Sequence, residues 1–539
     1  MYASSHDDST FVKFLKRQDI KLLKVGLKHP KIVIGIAIAM IVASMSIIPF
    51  FGTEFLPPFN EGSFTINLSL PPGTSLEEAN KSGSIAEQEI LKVPGVQLTA
   101  RRTGRAELDE HAEPPSNSEI EVALEADKIG NRDKILAQIR ERLSVLKGVT
   151  VNIGQPISHR LDHLLSGVRA QIAIKIFGND LADLRSNAAK LKDIISAVPG
   201  AVDVQVEKQV LVPQLSIKID RAAVQRYGLQ VGKVAEDIEI FYNGKISTQV
   251  LDGQKTFDIV LRTSDSVRNN LDEIGNTQIA TSDGSLIPLK QIAQIEMESG
   301  VNSVYHENTL RRIVVSANVQ GRDLGSTVKE MQQKVNEQLQ LPQGYFLQWG
   351  GQFESQQSAS KLITILSIFS IAGIFLVLYS HFKSSRITLQ IMLNVPLALI
   401  GSVVAVLLTG GVFSIATMVG FITLTGIASR NGIMMISHYI HLVQHEGETF
   451  SDKIIIRGSL ERLVPVLMTA LVAALALIPL TLDASAPGKE ILYPVATVIL
   501  GGLISSTLLD MIVTPVVFKQ FGKKALDKYI AEQNKKDME

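Results

Sequence analysis

The chain has 539 residues, more than one compact domain usually holds. Lysine plus arginine equals aspartate plus glutamate at 53 each, so net charge gives no electrostatic case for nucleic acid as a partner. Hydrophobic residues make up 45% and mean hydropathy is +0.20, high for a soluble protein of this size; the absence of cysteine removes disulfides, zinc–thiolate sites and cysteine nucleophiles, and leaves the compartment open.

The N-terminus, MYASSHDDST, has no apolar run close behind Met1, so no cleavable signal peptide is expected. Residues 11–31 carry Lys13, Lys16, Arg17, Lys21, Lys24, Lys28 and Lys31. Phe11, Phe14, Leu15, Leu22, Leu23 and Val25 alternate with them in a loose helical pattern. Residues 1–31 therefore read as a segment with an amphipathic helix on the cytoplasmic face, ahead of a first membrane span at 32–51. Residues 52–360 contain no spanning stretch and are expected to fold in water. Five further spans follow at Leu362–Ser380, Thr388–Thr409, Val412–Leu442, Leu463–Leu482 and Leu492–Phe518, a bundle over 361–518 with a tail at 519–539. Lys383, Arg386, Lys453, Arg457, Lys519, Lys523, Lys524 and Lys528 all fall on one side if these spans alternate, whereas the opposite loops hold only Lys489.

The outer region contains an internal repeat. Strand, helix, the turn Val93-Pro94-Gly95-Val96, two strands, helix and strand succeed one another over 52–157. The same order resumes at 158–210, with the turn Val198-Pro199-Gly200-Ala201, and is completed only at 306–360. Period-2 strands alternating with amphipathic helices predict two β-α-β-β-α-β lobes of ferredoxin-like type. The interruption, 211–305, is rich in short strands and Asn-Gly or Asp-Gly turns and reads as an inserted lobe. The predicted fold class is thus an α+β membrane protein with six transmembrane helices and a large outer domain.

One stretch stands apart. Val419–Leu442 is long and apolar, yet Arg430 sits in its middle, with Asn431, His438 and His441 after it. A charge at mid-depth costs several kcal/mol unless it faces a protein interior and finds a partner. The pattern predicts a polar stripe inside a bundle; the alternative is an arginine that snorkels to a headgroup.

These features resemble the C-terminal half of a resistance–nodulation–division (RND) pump. EFLPPFNEG (54–62), SHRLDHLLSGVRAQIAIKIFG (158–178), RYGL (226–229), GIASRNGIMMISHYIHL (426–442), RLVPVLMTALVAALALIPL (462–480) and PGKEILYPVA (487–496) look like the heavy-metal efflux branch, of the cobalt–zinc–cadmium or copper–silver exporter type. The resemblance covers residues 11 to 522 or so. It makes the outer domain periplasmic, the two lobes porter lobes and the inserted lobe a docking lobe. It implies proton-driven efflux of heavy-metal cations from the inner membrane of a Gram-negative bacterium, by a secondary transporter and not an enzyme. The implied assembly is a homotrimer with a periplasmic adaptor and an outer-membrane channel. It also exposes a gap: family pumps have two such halves, and the acidic proton carriers lie in a DFGxxVD-like motif of the N-terminal half, which this sequence lacks. Either a separate N-terminal half carrying those acids is the partner, or the sequence is a fragment of a longer pump; the sequence alone leaves both open. The rival readings are an RND pump for amphiphilic drugs, and a half-pump that binds metal or partners without transporting.

By resemblance, Arg430 is the basic member of the proton relay, and Arg462 and Thr469 match two further relay positions. Arg462 reads equally as a topological anchor, and Thr469 as a residue bonded back to its own helix. Asp510, a carboxylate within the last span, is a functional candidate by default. For metal, His159-Arg160-Leu161-Asp162-His163 sets two imidazoles at i,i+4, which would share a helix face and suit zinc-like ions. Glu61, Asp109 and His111 are the other metal candidates, against the plainer reading of 107–113 as a solvated acidic loop. His163 matches the position where copper/silver members carry a methionine; Asn67 and Asn117 align with the other two. The outer domain has only Met297 and Met331, neither in those segments. Imidazole and carboxylate favour a transported Zn, Co, Ni or Cd ion over copper or silver. No permanently bound cofactor is expected, and the lack of a G-x-x-x-x-G-K-[ST] loop leaves ATP hydrolysis unsupported.

Overall fold

A computed structural model describes residues 9–57, 60–104, 114–125, 128, 131–157, 170–268, 270–482 and 488–537. Contacts divide the chain into two compact units. One comprises residues 1–70, 76–207 and 305–539; the other comprises 71–75 and 208–304.

Among the described residues the larger unit holds two sheets of four or more strands. In the first, β1 (Ser63–Ser69), β2 (Val96–Thr103), β3 (Asn117–Leu124) and β4 (Thr150–Gly154) lie antiparallel in the order β2-β3-β1-β4. The second contains β5 (Ile172–Phe177), β6 (Ala201–Val206), β7 (Leu310–Val319) and β8 (Phe346–Gly351). There β7 pairs with both β5 and β6, and β5 with β8, which repeats the first sheet's order. Helices α3 (Leu76–Ile90) and α4 (Arg132–Leu143) serve the first sheet, and α5 (Leu181–Ser196) and α6 (Leu324–Gln338) the second. Burial follows the sequence period. Strand β3 alternates buried and half-buried residues, as one covered face requires. Central β5 is buried throughout, and its one charge, Lys175, is neutralised by Glu307 at 2.8 Å. Each lobe turns at the Pro-Gly step, with Gly95 and Gly200 at φ +99° and +91°, a region that costs other residues strain.

The lobes are clamped to each other. Asp203 accepts two hydrogen bonds from the Arg140 guanidinium, at 3.1 and 2.8 Å, and one from Asn318 Nδ2 at 3.0 Å. Asn318 also reaches Asn152 Oδ1 at 3.1 Å.

The helical part starts with α1 (Thr10–Lys28) and α2 (Pro30–Ile47). It resumes after the sheets with α7 (Gln352–Phe382), α8 (Ser385–Met392), α9 (Asn394–Leu408), α10 (Ile415–Gln444), α11 (Asp452–Thr481) and α12 (Leu492–Phe521). Among the described residues six helical stretches are long and apolar enough to cross a membrane, with α8 and α9 forming one of them. Helix α7 starts at Gln352, ahead of the hydropathy rise that marks its span in the sequence. Helix α12 is the hub, half buried against its neighbours, whereas α7 shows most of its apolar surface. On α1 the buried residues are Asp19, Leu23, Gly26 and Leu27. Phe11, Phe14, Leu22 and Val25, counted in the sequence as its apolar pattern, are exposed.

The smaller unit pairs Leu211–Ile219 with Ala293–Val301 and carries a hairpin, Lys245–Asp252 with Lys255–Leu261, whose side chains are exposed along both strands.

Candidate functional site

Helix α10 begins at a capping box: Ser414 Oγ accepts the Thr417 N–H at 3.3 Å, and Thr417 Oγ1 accepts the Ser414 N–H at 2.8 Å. Arg430 lies midway along its 30 residues, about 22 Å from either end. The helix has two faces. Gly420, Leu424, Ala428, Asn431, Met435 and Tyr439 are buried, whereas Val419, Thr423, Gly426 and Arg430 form an outward stripe at helical spacing. Arg430 is exposed and has no partner among the described residues. The expected interior stripe is therefore split. Adjacent helical residues point about 100° apart, so Asn431 enters the core while Arg430 turns away from it.

Arg462 sits on α11 beside His438 of α10, its Nη2 3.3 Å from His438 Nδ1. A guanidinium can only donate, so Nδ1 accepts and Nε2–H donates to Glu461 Oε2 at 2.6 Å. Glu461 continues to Arg457, which also bonds Glu446 and Glu448 at 2.6 and 3.0 Å. Thr469 donates to Val466 O of its own helix at 3.0 Å. Asp510 is fully buried on α12, and the Thr514 hydroxyl bonds its Oδ1.

The bundle meets the second lobe at a tight junction. Gly52–Thr53 pairs in parallel with Val412–Phe413 just before α10. Asp323 caps α6 by accepting the Ser326 N–H at 2.9 Å, and it also accepts the Thr53 N–H at 2.8 Å. Burial alone would raise the Asp323 carboxyl, but the bonds from Ser326 and Thr53 outweigh it and hold it below its ordinary value. Neighbouring Glu54 is pushed up, first by burial and then by the Asp323 charge.

Of the metal candidates, Glu61 is described. Its carboxylate accepts the Ile157 N–H at 2.8 and 3.0 Å, anchoring the chain just before His159. His159, Asp162, His163, Asp109 and His111 lie outside the described residues. Asn67 and Asn117 stand on the paired strands β1 and β3. Among the described residues no group of three or more His, Asp or Glu side chains could hold a metal ion. Sequence reasoning missed Asp19, Asp323 and the Tyr439–Ser459 pair, whose hydroxyls lie 2.6 Å apart. The available signal for Asp19 was its place four residues before Leu23, on the face that packs.

A model of the AcrB/AcrD/AcrF family matches residues 4–522. The cobalt-zinc-cadmium resistance protein CzcA of Cupriavidus metallidurans is 35% identical over 531 residues, which cover 96% of this chain and 50% of that protein. The nickel and cobalt resistance protein CnrA of the same organism is 35% identical over 505 residues, covering 92% and 47%. A crystal structure of a heavy metal efflux pump superposes with a TM-score of 0.83 at 32% identity, over 95% of this chain and 53% of that one. The chain thus spans about half the length of the curated relatives it matches.

Proposed function

Because the chain belongs to the AcrB/AcrD/AcrF family of RND transporters, we propose that it is the C-terminal half of a proton-driven heavy-metal exporter in the inner membrane. The observation that carries this reading is Arg430. An unpaired guanidinium midway along an apolar helix costs about 3 kcal/mol by insertion scales. Its stripe, with Thr423 and Gly426, has the small residues that let another helix approach closely. An acidic helix of a second, N-terminal half answers both features. Protonation of that acid would weaken its pairing with Arg430, and loss of the proton would restore it, so helix packing follows the proton. The junction at Thr53 and Asp323 offers a short mechanical link from α10 to the second porter lobe. Six spans, two ferredoxin-like porter lobes (52–157; 158–210 with 306–360) and a docking lobe (211–305) complete the proposed architecture.

The cargo we assign is a divalent ion of the Zn, Co, Ni or Cd group. His159, Asp162 and His163 supply borderline ligands, with Glu61 anchoring their segment, and two relatives bear cobalt, zinc, cadmium or nickel in their names. The 245–261 hairpin displays Val250, Leu251, Phe257, Ile259 and Leu261. A lone hairpin is marginal in water, so it fits docking onto another protomer of a trimer, and the smaller unit suits an adaptor leading to an outer-membrane channel.

The test is metal efflux from cells carrying this chain and its acidic partner half. Arg430→Ala should insert normally and abolish efflux; full efflux would reduce Arg430 to an anchor. Titration of the full chain with Zn(II) or Co(II) should show binding lost in His163→Ala. Tight Cu(I) binding with neither divalent ion would end the metal assignment.

A further inference from the structure

Three of the ten histidines, His438, His441 and His445, fall within eight residues at the end of α10. Steps of three and four residues keep them on one helical face. Their rings stack in series. The centres of His438 and His441 lie 6.4 Å apart and those of His441 and His445 4.9 Å, with planes 11° and 14° from parallel. The helical register holds to the last ring, because the His445 N–H donates to His441 O at 2.9 Å.

The three rings differ in what their nitrogens do. Both nitrogens of His438 are engaged, Nδ1 by Arg462 and Nε2 by Glu461. His441 and His445 are exposed, and their rings make no hydrogen bond among the described residues. Glu446 and Glu448, just beyond them, are held by Arg457 at 2.6 and 3.0 Å. Neutral imidazole is a ligand for borderline divalent ions. Two imidazoles sharing one such ion at ~2.0 Å have ring centres roughly 5 Å apart. That is the separation found between His441 and His445, and the soft χ2 torsions let each ring turn a nitrogen to the ion. The position favours a cation as well. His441 lies in the last turn of α10 and His445 caps it, where unpaired carbonyls form the negative end of the helix dipole. Two protein ligands accord with the absence, among the described residues, of any group of three, and water completes the shell as at an open site.

We propose that His441 and His445 bind a divalent transition-metal ion, Zn, Co or Ni, at the end of α10, in a second site separate from the outer-domain ligands. This goes beyond the cargo reading, and only the site's place on the cytoplasmic side rests on the topology proposed there. An ion on the pair adds its charge one helical turn from the Arg462–His438–Glu461 chain, so cytoplasmic metal bears on a relay candidate.

Zn(II) titration of the full chain in lipid nanodiscs tests this. With two protein ligands this is the weaker site, so it fills after the His163-dependent one. In a His159→Ala/His163→Ala chain the later step should remain, at micromolar affinity. Adding His441→Ala or His445→Ala should weaken that step by about tenfold or more, since a ligand matters at least as much as the outer partners that orient it. Both positions are exposed, and an unchanged circular dichroism spectrum checks that the variants fold. No Zn(II) binding in the His159→Ala/His163→Ala chain, or an affinity unchanged by either further substitution, would overturn the proposal. The titration uses neither the partner half nor transport, so its failure leaves the Arg430 efflux test standing, and failure of that test or of the outer-domain ligands leaves this one.

Discussion

In the two sheet lobes Arg140, Asp203, Asn318 and Asn152 close a hydrogen-bonded clamp in which each side chain finds a partner inside the chain. In the bundle, among the described residues, Arg430 points outward without one, and Asp510 and Asn431 are buried with polar atoms unmatched by protein. Both regions are well packed, with contiguous cores in each lobe and along α10, α11 and α12. The difference teaches that packing and polar satisfaction are separate demands. The clamp between the lobes meets both. Around Asp510, Asn394 and Asn431 the bundle meets the first alone among the described residues.

The largest expected effect breaks the comparison on the bundle side. Arg430→Leu should favour membrane insertion of this chain alone by about 3 kcal/mol, since an unpaired charge leaves hydrocarbon, and yet abolish efflux when the partner half is present. A glycosylation-based insertion assay and a metal-uptake assay read the two halves of this statement; unchanged insertion would place Arg430 in water. On the lobe side, Asp203→Ala strands the Arg140 guanidinium, and breaking such a buried pair costs about 3 kcal/mol. Denaturant unfolding should show that loss, and a shift under ~0.5 kcal/mol would mean the clamp is ornamental.

Asp19 sharpens the contrast through pH. Its carboxyl is raised by burial from 3.8 to about 6 in the folded chain. Between those values the folded chain holds a proton that the unfolded chain has released, so stability falls as pH rises through this window and is level above it. Two pKa units correspond to about 3 kcal/mol. Asp19→Asn should therefore exceed the wild type in thermal stability at neutral pH by up to that amount, with the gap closing towards about pH 4. A pH-independent gap would contradict the burial argument. The smallest effect belongs to the rim, where Arg457 is 42% exposed among Glu446, Glu448 and Glu461. Arg457→Ala should cost less than ~1 kcal/mol and the cost should shrink with salt.

Much of the architecture was legible in the sequence because water imposes a period. Strand β3 and helix α5 bury the faces their apolar spacing predicts, and both Val-Pro-Gly steps mark turns with positive φ at glycine. The membrane removes that rule. Lipid is as apolar as a core, so hydropathy locates a span without saying which face packs. Arg430 was found by its charge, but its direction depends on how α10 leans on α12. Asp19 escaped notice because Phe11, Phe14, Leu22 and Val25 mark the exposed side of α1, opposite to the packing side. The relay candidates Arg462 and Thr469 were identifiable by resemblance, whereas the His438–Glu461 bond beside Arg462 needed the α10–α11 pairing.

The central claim is our proposal that this chain needs a second half to run, because its outward Arg430 has no acidic partner among the described residues. Proton-linked zinc or cobalt flux, measured in vesicles containing this chain alone and in vesicles containing it with an acidic N-terminal half, tests that most directly. The account predicts no flux from the chain alone and metal-for-proton exchange from the pair. Flux from the chain alone would contradict it and make Asp510 the carrier.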